Sequence, residues 1–474
     1  MNNSNNLEKV MHRSTYTACV PYKDSGYYLV HSFLTGKFAL LTEKQKEIYE
    51  HPDKYASEKI IPTLLEYGFI SMEDDYSVLM ERLKKGNPRI PQNKKLSLEI
   101  CPTLNCNFDC RYCFEAGRRH TGSMNDETAN NIVEFVKKRI KETKANKLAV
   151  KWFGGEPLLE IETIKKLSDK LIKVADEYKI PYSAFIQTNA YLLNQEIIDV
   201  LEEKGVKSIE VTIDGNKDTH DKLRVLSGGR GTYEKIIDNL SHIKTKMKID
   251  IRCNLHKDNL DTFEDLMKDI DRLKQITNNH IVCTPRVIRI KDNLPKDGAF
   301  LKDVAFTNEE FLNQFHRLYS LNHIENPSYS EIDYFTGRIG SPCKACNGTG
   351  FTIDELGNIY GCSMEVGKSN CVIGNVRTYE NDESLNNGNG YEFYRNSFCT
   401  DREECKNCAV LPICLGRCPR TWNEYYDCVW VKGNLSDIMI KVYDLLQNET
   451  SSNGWSLFYF IYCCFFNCYK WFLW

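Results

Sequence analysis

Residues 106–113 read Cys-Asn-Phe-Asp-Cys-Arg-Tyr-Cys, which sets three cysteines at the spacing C-x3-C-x2-C. The stretch follows a short β-type run, Leu96–Cys101, so we expect a loop at the carboxyl end of a strand. Ligands bind at that end of the strands in α/β sheets. Three thiolates on one loop suit an iron–sulfur cluster with one iron left open. A zinc site with a distant fourth ligand fits the same spacing, and spacing alone leaves both sites open.

β-type and helical stretches alternate downstream of this loop. Predicted strands are Leu96–Cys101, Leu148–Phe153, Tyr182–Gln187, Ser208–Ile213, Ile249–Asn254 and His280–Arg286. Helical stretches lie near residues 125–143, 160–177, 194–204, 232–246 and 259–274. This alternation predicts an α/β fold, with βα units around a parallel sheet. Six units suit a partial barrel or an open doubly wound sheet, and periodicity does not choose between them.

Composition limits the class of protein. The chain has 474 residues, of which 42% are apolar and 27% charged, so we expect two to four globular units. A net charge of −3 argues against a nucleic-acid partner. The polar start, MNNSNNLEKVMHRS, lacks a secretory signal, which predicts a cytoplasmic protein with reduced thiols. Twenty cysteines, clustered mainly around residues 101–113 and 343–428, therefore predict metal ligands rather than disulfides.

A second motif changes the balance between iron–sulfur and zinc. The second predicted strand ends in Gly154, Gly155, Glu156 and Pro157, and adjacent glycines let the backbone approach a ligand closely. With Tyr112 directly before Cys113, this pair of motifs resembles the radical S-adenosylmethionine (SAM) superfamily. Thr-Ile-Asp-Gly at 212–215 and His-Asp-Lys-Leu-Arg at 220–224 resemble its peptide-modifying branch. The resemblance spans roughly residues 96–290.

The resemblance implies a cofactor and roles for residues. Cys106, Cys110 and Cys113 would ligate a [4Fe–4S] cluster whose open iron binds SAM. Cleavage of SAM would give a 5′-deoxyadenosyl radical that abstracts hydrogen from a C–H bond. Tyr112 would lie near the adenine, and Gly154, Gly155, Glu156 and Pro157 would meet the methionine amino end. Further cofactor contacts are expected from Asn189, Asp214, Arg224 and Asn254, for which ordinary strand-end hydrogen bonding is an equal alternative. The sequence assigns no catalytic residue.

The C-terminal cysteines resemble the SPASM extension of the same superfamily, which carries two auxiliary [4Fe–4S] clusters. The resemblance implies three clusters in all and assigns eight further ligands in interleaved sets. The nearer cluster would take Cys343, Cys346, Cys362 and Cys418, and the farther one Cys405, Cys408, Cys414 and Cys428. If only one of Cys343 and Cys346 is a ligand, the nearer cluster has an open iron. Zinc knuckles are the alternative for the C-x2-C pairs.

The N-terminal segment has three short β-type runs, Thr15–Tyr22, Tyr27–His31 and Lys37–Leu41, then a helix that starts after Thr42. It resembles a winged-helix peptide-recognition module, and a plain extension packed on the main domain is the alternative. We therefore divide the chain into a winged-helix-like module (1–90), a partial (β/α)6 radical SAM barrel (91–310) and a SPASM domain (311–448). An aromatic tail (449–474) follows. Its apolar stretch, Trp455–Trp474, is long enough for a membrane anchor, but the abrupt change of composition favours a frameshifted or artificially added terminus.

These features predict an oxidoreductase that modifies a ribosomally made precursor peptide by forming a thioether between a cysteine sulfur and a carbon. We expect the N-terminal module to bind the leader of that peptide by strand addition. A flavodoxin or ferredoxin would supply electrons. A formylglycine-generating sulfatase maturase is the alternative, although Ser363 stands where that subtype has aspartate. A zinc-binding winged-helix regulator is the alternative from a different class.

Overall fold

The protein is described by a computed structural model that covers residues 10–85, 95–118, 122–287, 304–306, 345, 349–386, 403–415 and 435–452. The strands are β1 (His12–Arg13), β2 (Thr17–Tyr22), β3 (Tyr27–Ser32), β4 (Lys37–Leu41), β5 (Ile70–Ser71), β6 (Lys95–Ile100), β7 (Lys147–Trp152), β8 (Tyr182–Thr188), β9 (Val206–Thr212), β10 (Lys248–Leu255), β11 (Ile281–Val287), β12 (Gly350–Ile353), β13 (Asn358–Tyr360) and β14 (Gly374–Asn375). The helices are α1 (Glu43–Glu50), α2 (Ile61–Glu66), α3 (Asp75–Lys85), α4 (Asp126–Thr143), α5 (Ile161–Glu177), α6 (Gln195–Glu203), α7 (Lys217–Leu223), α8 (Tyr233–His242), α9 (Phe263–Thr277), α10 (Asp382–Asn386), α11 (Glu403–Lys406), α12 (Leu411–Cys414) and α13 (Leu435–Ser452).

A nine-stranded sheet organises most of these elements, in the order β11-β10-β9-β8-β7-β6-β12-β13-β14. Strands β6 to β11 are all parallel, and helices connect them, so the predicted α/β fold with a large parallel sheet is confirmed. All six predicted strands are present, with ends within two residues of the prediction. Two helices differ from the prediction, because α8 ends at His242 and a 3-10 turn, Lys257–Thr262, precedes α9.

One face of this sheet carries the main core. Alternate strand residues such as Leu98, Val150, Ile186 and Ile209 are fully or almost fully buried against the connecting helices. The residues between them, such as Lys151, are only half-buried. This alternation gives one face of each strand to the helices and turns the other face inward, as in a partial barrel.

The segment that follows residue 348 adds strands to the same sheet. Strand β12 pairs in parallel with β6, with Ile353 opposite Ile100, and β13 returns antiparallel to β12. Helix α4 fixes this hairpin from outside, since Arg139 donates a hydrogen bond to the Tyr379 hydroxyl at 3.3 Å. The sequence prediction did not include this extra parallel strand. It brings Cys362, two residues after β13, close to the end of β6.

The N-terminal residues form a separate antiparallel sheet in the order β2-β3-β4. Helix α1 begins at the predicted Thr42, whose hydroxyl accepts a hydrogen bond from the Gln45 amide at 3.3 Å. One face of the sheet packs on α1 and α2 through side chains such as Val30 and Leu41. The opposite face packs on α13 and residues 410–413 through side chains such as Leu29. Both faces of this small sheet are therefore covered by the chain itself.

Among the described helices, none combines the length and apolar composition that a membrane crossing requires. Residues 449–452, which the prediction assigned to the tail, belong to α13, and the apolar stretch Trp455–Trp474 lies outside the described residues.

Candidate functional site

The loop with Cys106, Cys110 and Cys113 leaves the carboxyl end of β6, as predicted. A backbone ladder holds it in place. The Asp109 amide donates to the Val225 carbonyl at 2.8 Å, and the Arg111 amide donates to the Leu223 carbonyl at 2.9 Å. Cys110 is 9% exposed, whereas Cys106 and Cys113 are half-buried. The segment around residues 223–227, which follows α7, thus forms one wall of the cysteine loop.

A second wall comes from the turn after β7. The amides of Gly155 and Glu156 donate to the carbonyls of Thr103 and Asn105 at 3.3 and 2.8 Å. A Cβ atom on Gly154 would lie 2.4 Å from the Thr103 carbonyl oxygen, and one on Gly155 would lie 2.1 Å from the Asn105 oxygen. Gly154 also has φ = 115°, which favours glycine. The two glycines therefore allow the turn to contact the cysteine loop directly.

The Glu156 side chain points into the protein, where it is completely buried. Its carboxylate accepts hydrogen bonds from the Thr188 hydroxyl at 2.6 Å, the Asn189 amide at 2.8 Å and the Leu158 amide at 3.0 Å. Burial raises the pKa of Glu156, and these hydrogen bonds oppose that rise. The carboxylate joins the ends of β7 and β8, with Pro157 buried beside it.

Asn189 then reaches back to the cysteine loop. Its side-chain amide donates to the Asn107 side-chain oxygen at 2.8 Å, and its own oxygen accepts from the Tyr191 amide at 3.0 Å. Sequence reasoning named Asn189 but missed Asn107. The position of Asn107 inside the cysteine motif, directly after Cys106, was the available signal.

Four of the predicted residues form one hydrogen-bonded group, here called the Tyr112 network: Tyr112, Asp214, Arg224 and Asn254. The Tyr112 hydroxyl donates to Asp214, and it accepts from Arg224 at 2.9 Å and from the Asn254 side chain at 3.2 Å. The Asn254 amide donates to the other Asp214 oxygen at 2.8 Å. This network connects the cysteine loop to the carboxyl ends of β9 and β10.

Charges in this network balance one another. Burial opposes the charged form of Arg224, but Cys110, Tyr112 and Asp214 together hold its pKa well above the ordinary value. Burial raises the pKa of Tyr112, outweighing the opposite effect of Arg224, so the phenol keeps its proton. The guanidinium also lies 5.7 Å from the centre of the Phe108 ring. The Arg224 guanidinium is therefore a cation held against the loop that carries the three cysteines.

His220 supports this network and was not assigned a role from the sequence. Its ring is fully buried, and Nδ1 accepts from the Asp214 amide at 3.2 Å. The Nε2–H then donates to the Thr232 hydroxyl at 3.0 Å, and that hydroxyl donates to the Arg224 carbonyl at 2.6 Å. Burial, with a contribution from Arg224, lowers the pKa of His220 well below its ordinary value. The ring is therefore neutral, and it fixes the backbone at both Asp214 and Arg224.

Arg118 links the cysteine loop to the segment after Cys362. Its guanidinium donates to the carbonyls of Met364 and Val366 at 2.8 and 3.2 Å. A small apolar core lies between the two segments, formed by Cys101, Leu104, Phe153, Tyr360, Val366 and Cys371. The segment with Cys362 is thus packed against the first cysteine loop.

The predicted C-terminal ligands are only partly within the described residues. Cys362, Cys405, Cys408 and Cys414 are described and half-buried, whereas Cys343, Cys346, Cys418 and Cys428 lie outside the described residues. In the part of the chain that is described, no three Cys, His, Asp or Glu side chains converge on a single metal ion. Thiolates that each bind a different iron of a cluster need not converge in this way.

Comparison with known proteins identifies the class. Residues 100–270 match the sequence profile of the radical SAM superfamily. The radical SAM cyclopropyl synthase TigE of Paramaledivibacter caminithermalis is 26% identical over 420 residues, which cover 83% of this chain and 83% of that protein. A cysteine-type anaerobic sulfatase-maturating enzyme of Clostridium novyi is 26% identical over 349 residues, covering 69% of this chain and 88% of that enzyme.

Solved structures agree on the fold. The structure described as native anSMEcpe with bound AdoMet and Kp18Cys peptide superposes with a TM-score of 0.56 and 20% identity. The match covers 76% of this chain and 99% of that one. The chain therefore contains a radical SAM domain, and that domain implies a [4Fe–4S] cluster and SAM. It is a radical SAM enzyme with homology to peptide and sulfatase maturases, so the regulator interpretation does not hold.

The contact between the glycine turn and the cysteine loop gives a first prediction. A Gly155→Ala substitution should displace the cysteine loop, because overpacking of this kind costs about 1–3 kcal/mol. We expect reconstituted protein to lose about four irons per chain, the content of one [4Fe–4S] cluster, and to form much less 5′-deoxyadenosine. The matched control is Gly228→Ala, where a Cβ atom meets nothing within 4 Å. Equal iron content in the two variants would contradict the account.

The neutral His220 ring gives a prediction for pH dependence. Its pKa is lowered in the folded state, so the unfolded state binds the proton more readily as pH falls through the ordinary value of 6.5. The free energy of unfolding of cluster-free protein should drop by about 1 kcal/mol between about pH 7.5 and about pH 5.5. His256, whose pKa is also lowered, adds to the slope.

Urea unfolding measures this slope. It should become shallower in His220→Gln, and the matched control is His242→Gln, at a side chain that is 74% exposed. A slope that is the same in both variants would show that His220 is not buried as a neutral ring.

Proposed function

We propose that the chain modifies a ribosomally made peptide, using one SAM-binding and two auxiliary [4Fe–4S] clusters. The single observation that carries the proposal is the convergence of the cysteine loop, the glycine turn and the Tyr112 network at the carboxyl edge of the sheet. Cys106, Cys110 and Cys113 would ligate the SAM-binding cluster. When bound, cluster and SAM supply a 5′-deoxyadenosyl radical that abstracts a hydrogen atom.

The chain's own residues would orient SAM. Gly154 and Gly155 place the backbone beside the cysteine loop. The Glu156 carboxylate holds the Asn189 backbone by accepting a hydrogen bond from its amide. The buried Nε–H of Arg224 has no acceptor among the described residues, which fits a site that receives an anion such as the SAM carboxylate. We assign Tyr112, Asp214 and Asn254 to the wall that positions the nucleoside part. A flavodoxin or ferredoxin would deliver the electron.

The two auxiliary clusters rest on the C-terminal cysteines. Cys362 with Cys343, Cys346 and Cys418 would hold the near cluster, and the contacts of Arg118 support its placement beside the radical site. Cys405, Cys408, Cys414 and Cys428 would hold the far cluster. These ligand sets, and the SPASM domain at 311–448 that they define, are proposals from the cysteine pattern.

We assign leader binding to the N-terminal unit, residues 1–90, as a winged-helix-like module. Within the described residues, β2 and β4 each pair only with β3, while both faces of the sheet are covered. A peptide would therefore add to an edge strand, where main-chain hydrogen bonds supply affinity. The fold of this unit and its packing support this assignment.

For the reaction we propose a thioether between a cysteine sulfur and a carbon of the peptide. Ser363 at the position after Cys362 disfavours the formylglycine alternative. A second candidate is cyclopropane formation, which is favoured by the name of the TigE relative and by its coverage of 83% of both chains.

Mass spectrometry of a precursor peptide co-expressed with the enzyme tests the proposal. A thioether removes two hydrogens, so the peptide should lose about 2 Da per link, and iodoacetamide should label one thiol fewer. A loss of about 2 Da with every thiol still labelled would point to ring formation on carbon instead. An unchanged mass alongside 5′-deoxyadenosine formation would contradict a peptide substrate of this kind.

A further inference from the structure

The N-terminal sheet and the far-cluster segment, residues 403–415, share two apolar cores. In the first, Leu29 of β3 and Phe33, the residue after β3, pack with Val410 and Ile413, and Cys408 and Cys414 lie partly buried against them. Helix α13 completes this core through Ile438, Met439 and Val442. The unit assigned to leader binding is therefore also a support for two of the far-cluster cysteines.

The second core brings a tyrosine to the same place. Tyr16, the residue before β2, packs with Leu34 and Leu79 from the N-terminal unit and with Leu411 and Leu415 from the far-cluster segment. Cys405 is partly buried against this core. Burial raises the pKa of Tyr16, and the neighbouring Asp75, Asp74, Tyr76 and Cys408 raise it further, in that order.

The Tyr16 hydroxyl is unusual because it is fully buried and has no hydrogen-bond partner among the described residues. Burying a hydroxyl without a partner costs free energy, because its hydrogen bonds to water are lost and not replaced, so native structures rarely keep one. One charged candidate, Asp75, already accepts from the Thr15 amide at 2.6 Å and lies 3.7 Å from the His12 ring. A sulfur acceptor on the neighbouring cysteine segment would remove this cost.

We propose that the Tyr16 hydroxyl donates a hydrogen bond to a sulfur of the far cluster, and that the N-terminal unit thereby sets the reduction potential of that cluster. The inference rests on the proposed function, which places a [4Fe–4S] cluster on Cys405, Cys408 and Cys414. Hydrogen bonds to cluster sulfurs stabilise the more negative, reduced state and raise its potential. Tyr16 is thus a positioning residue that acts through the cluster, not on the substrate.

The test compares Tyr16→Phe with Tyr49→Phe. Both tyrosines are buried in the N-terminal unit, but the Tyr49 hydroxyl has a partner, Thr17 at 2.7 Å, on the opposite side of the sheet. Redox titration followed by electron paramagnetic resonance measures the potential of each cluster. The far-cluster signal is identified as the one lost in a Cys405→Ala/Cys408→Ala variant.

We expect Tyr16→Phe to keep its full iron content and to shift only the far-cluster potential downward, whereas Tyr49→Phe leaves all potentials unchanged. Melting temperatures give a second readout, because the effect of Tyr16→Phe on stability should differ between protein without clusters and protein with clusters. Without clusters, Tyr16→Phe should be as stable as the parent or more stable, because it removes an unpartnered hydroxyl. With clusters it should be less stable. Tyr49→Phe should be destabilised in both states.

Two results would overturn the inference in distinguishable ways. Equal potentials in Tyr16→Phe and the parent, or a loss of stability in the cluster-free protein, would show that the hydroxyl bonds to protein, with Asp75 the first candidate. If the iron content does not fall in the Cys405→Ala/Cys408→Ala variant, these cysteines hold no cluster, and that part of the proposed function is wrong.

Discussion

Two consecutive residues without Cβ atoms let the turn after β7 lie against the loop with Cys106, Cys110 and Cys113. The amides of Gly155 and Glu156 donate to the loop carbonyls, and these bonds continue the pairing of β6 and β7 beyond the ends of the strands. With this pairing on one side and the ladder to residues 223–227 on the other, both walls of the loop are hydrogen-bonded backbone. The positions of the thiols depend on those two ladders.

Buried polar groups keep the ladders aligned. Glu156 and the Tyr112 network each connect neighbouring strand ends, and nearly every hydrogen bond in them has a partner on a different element. Buried polar groups stabilise a structure only when each has a hydrogen-bond partner, and a network with missing partners costs free energy. The Nε–H of Arg224 is the exception among the described residues of this network, and it lies where the proposed function places an anionic part of SAM.

The sequence predicted the parts of the fold that depend on local patterns. The six parallel strands follow from apolar alternation, and the start of α1 follows from Thr42 and Gln45 three residues apart. Strand β12 was not predictable in the same way, because its pairing with β6 joins residues about 250 positions apart in the chain. The packing of Tyr16 on the far-cluster segment is another long-range contact without a local signal.

The site shows the same division. The motifs located Cys106, Gly154 and Asp214 at strand ends, which was enough to predict that they lie together. The sequence did not predict which atoms of these residues contact one another. Gly155 contacts the cysteine loop, whereas the sequence suggested close approach to a ligand. His220 supports the Tyr112 network, although its motif gave it no role.

The central claim is that the loop of Cys106, Cys110 and Cys113 holds a [4Fe–4S] cluster that binds SAM. Electron paramagnetic resonance of the reduced, reconstituted protein, recorded with and without SAM, tests it most directly. SAM should change the signal of one cluster, and this cluster should be missing when the three cysteines are replaced by alanine. A spectrum that SAM leaves unchanged, or purified protein that contains zinc in place of iron, would contradict it.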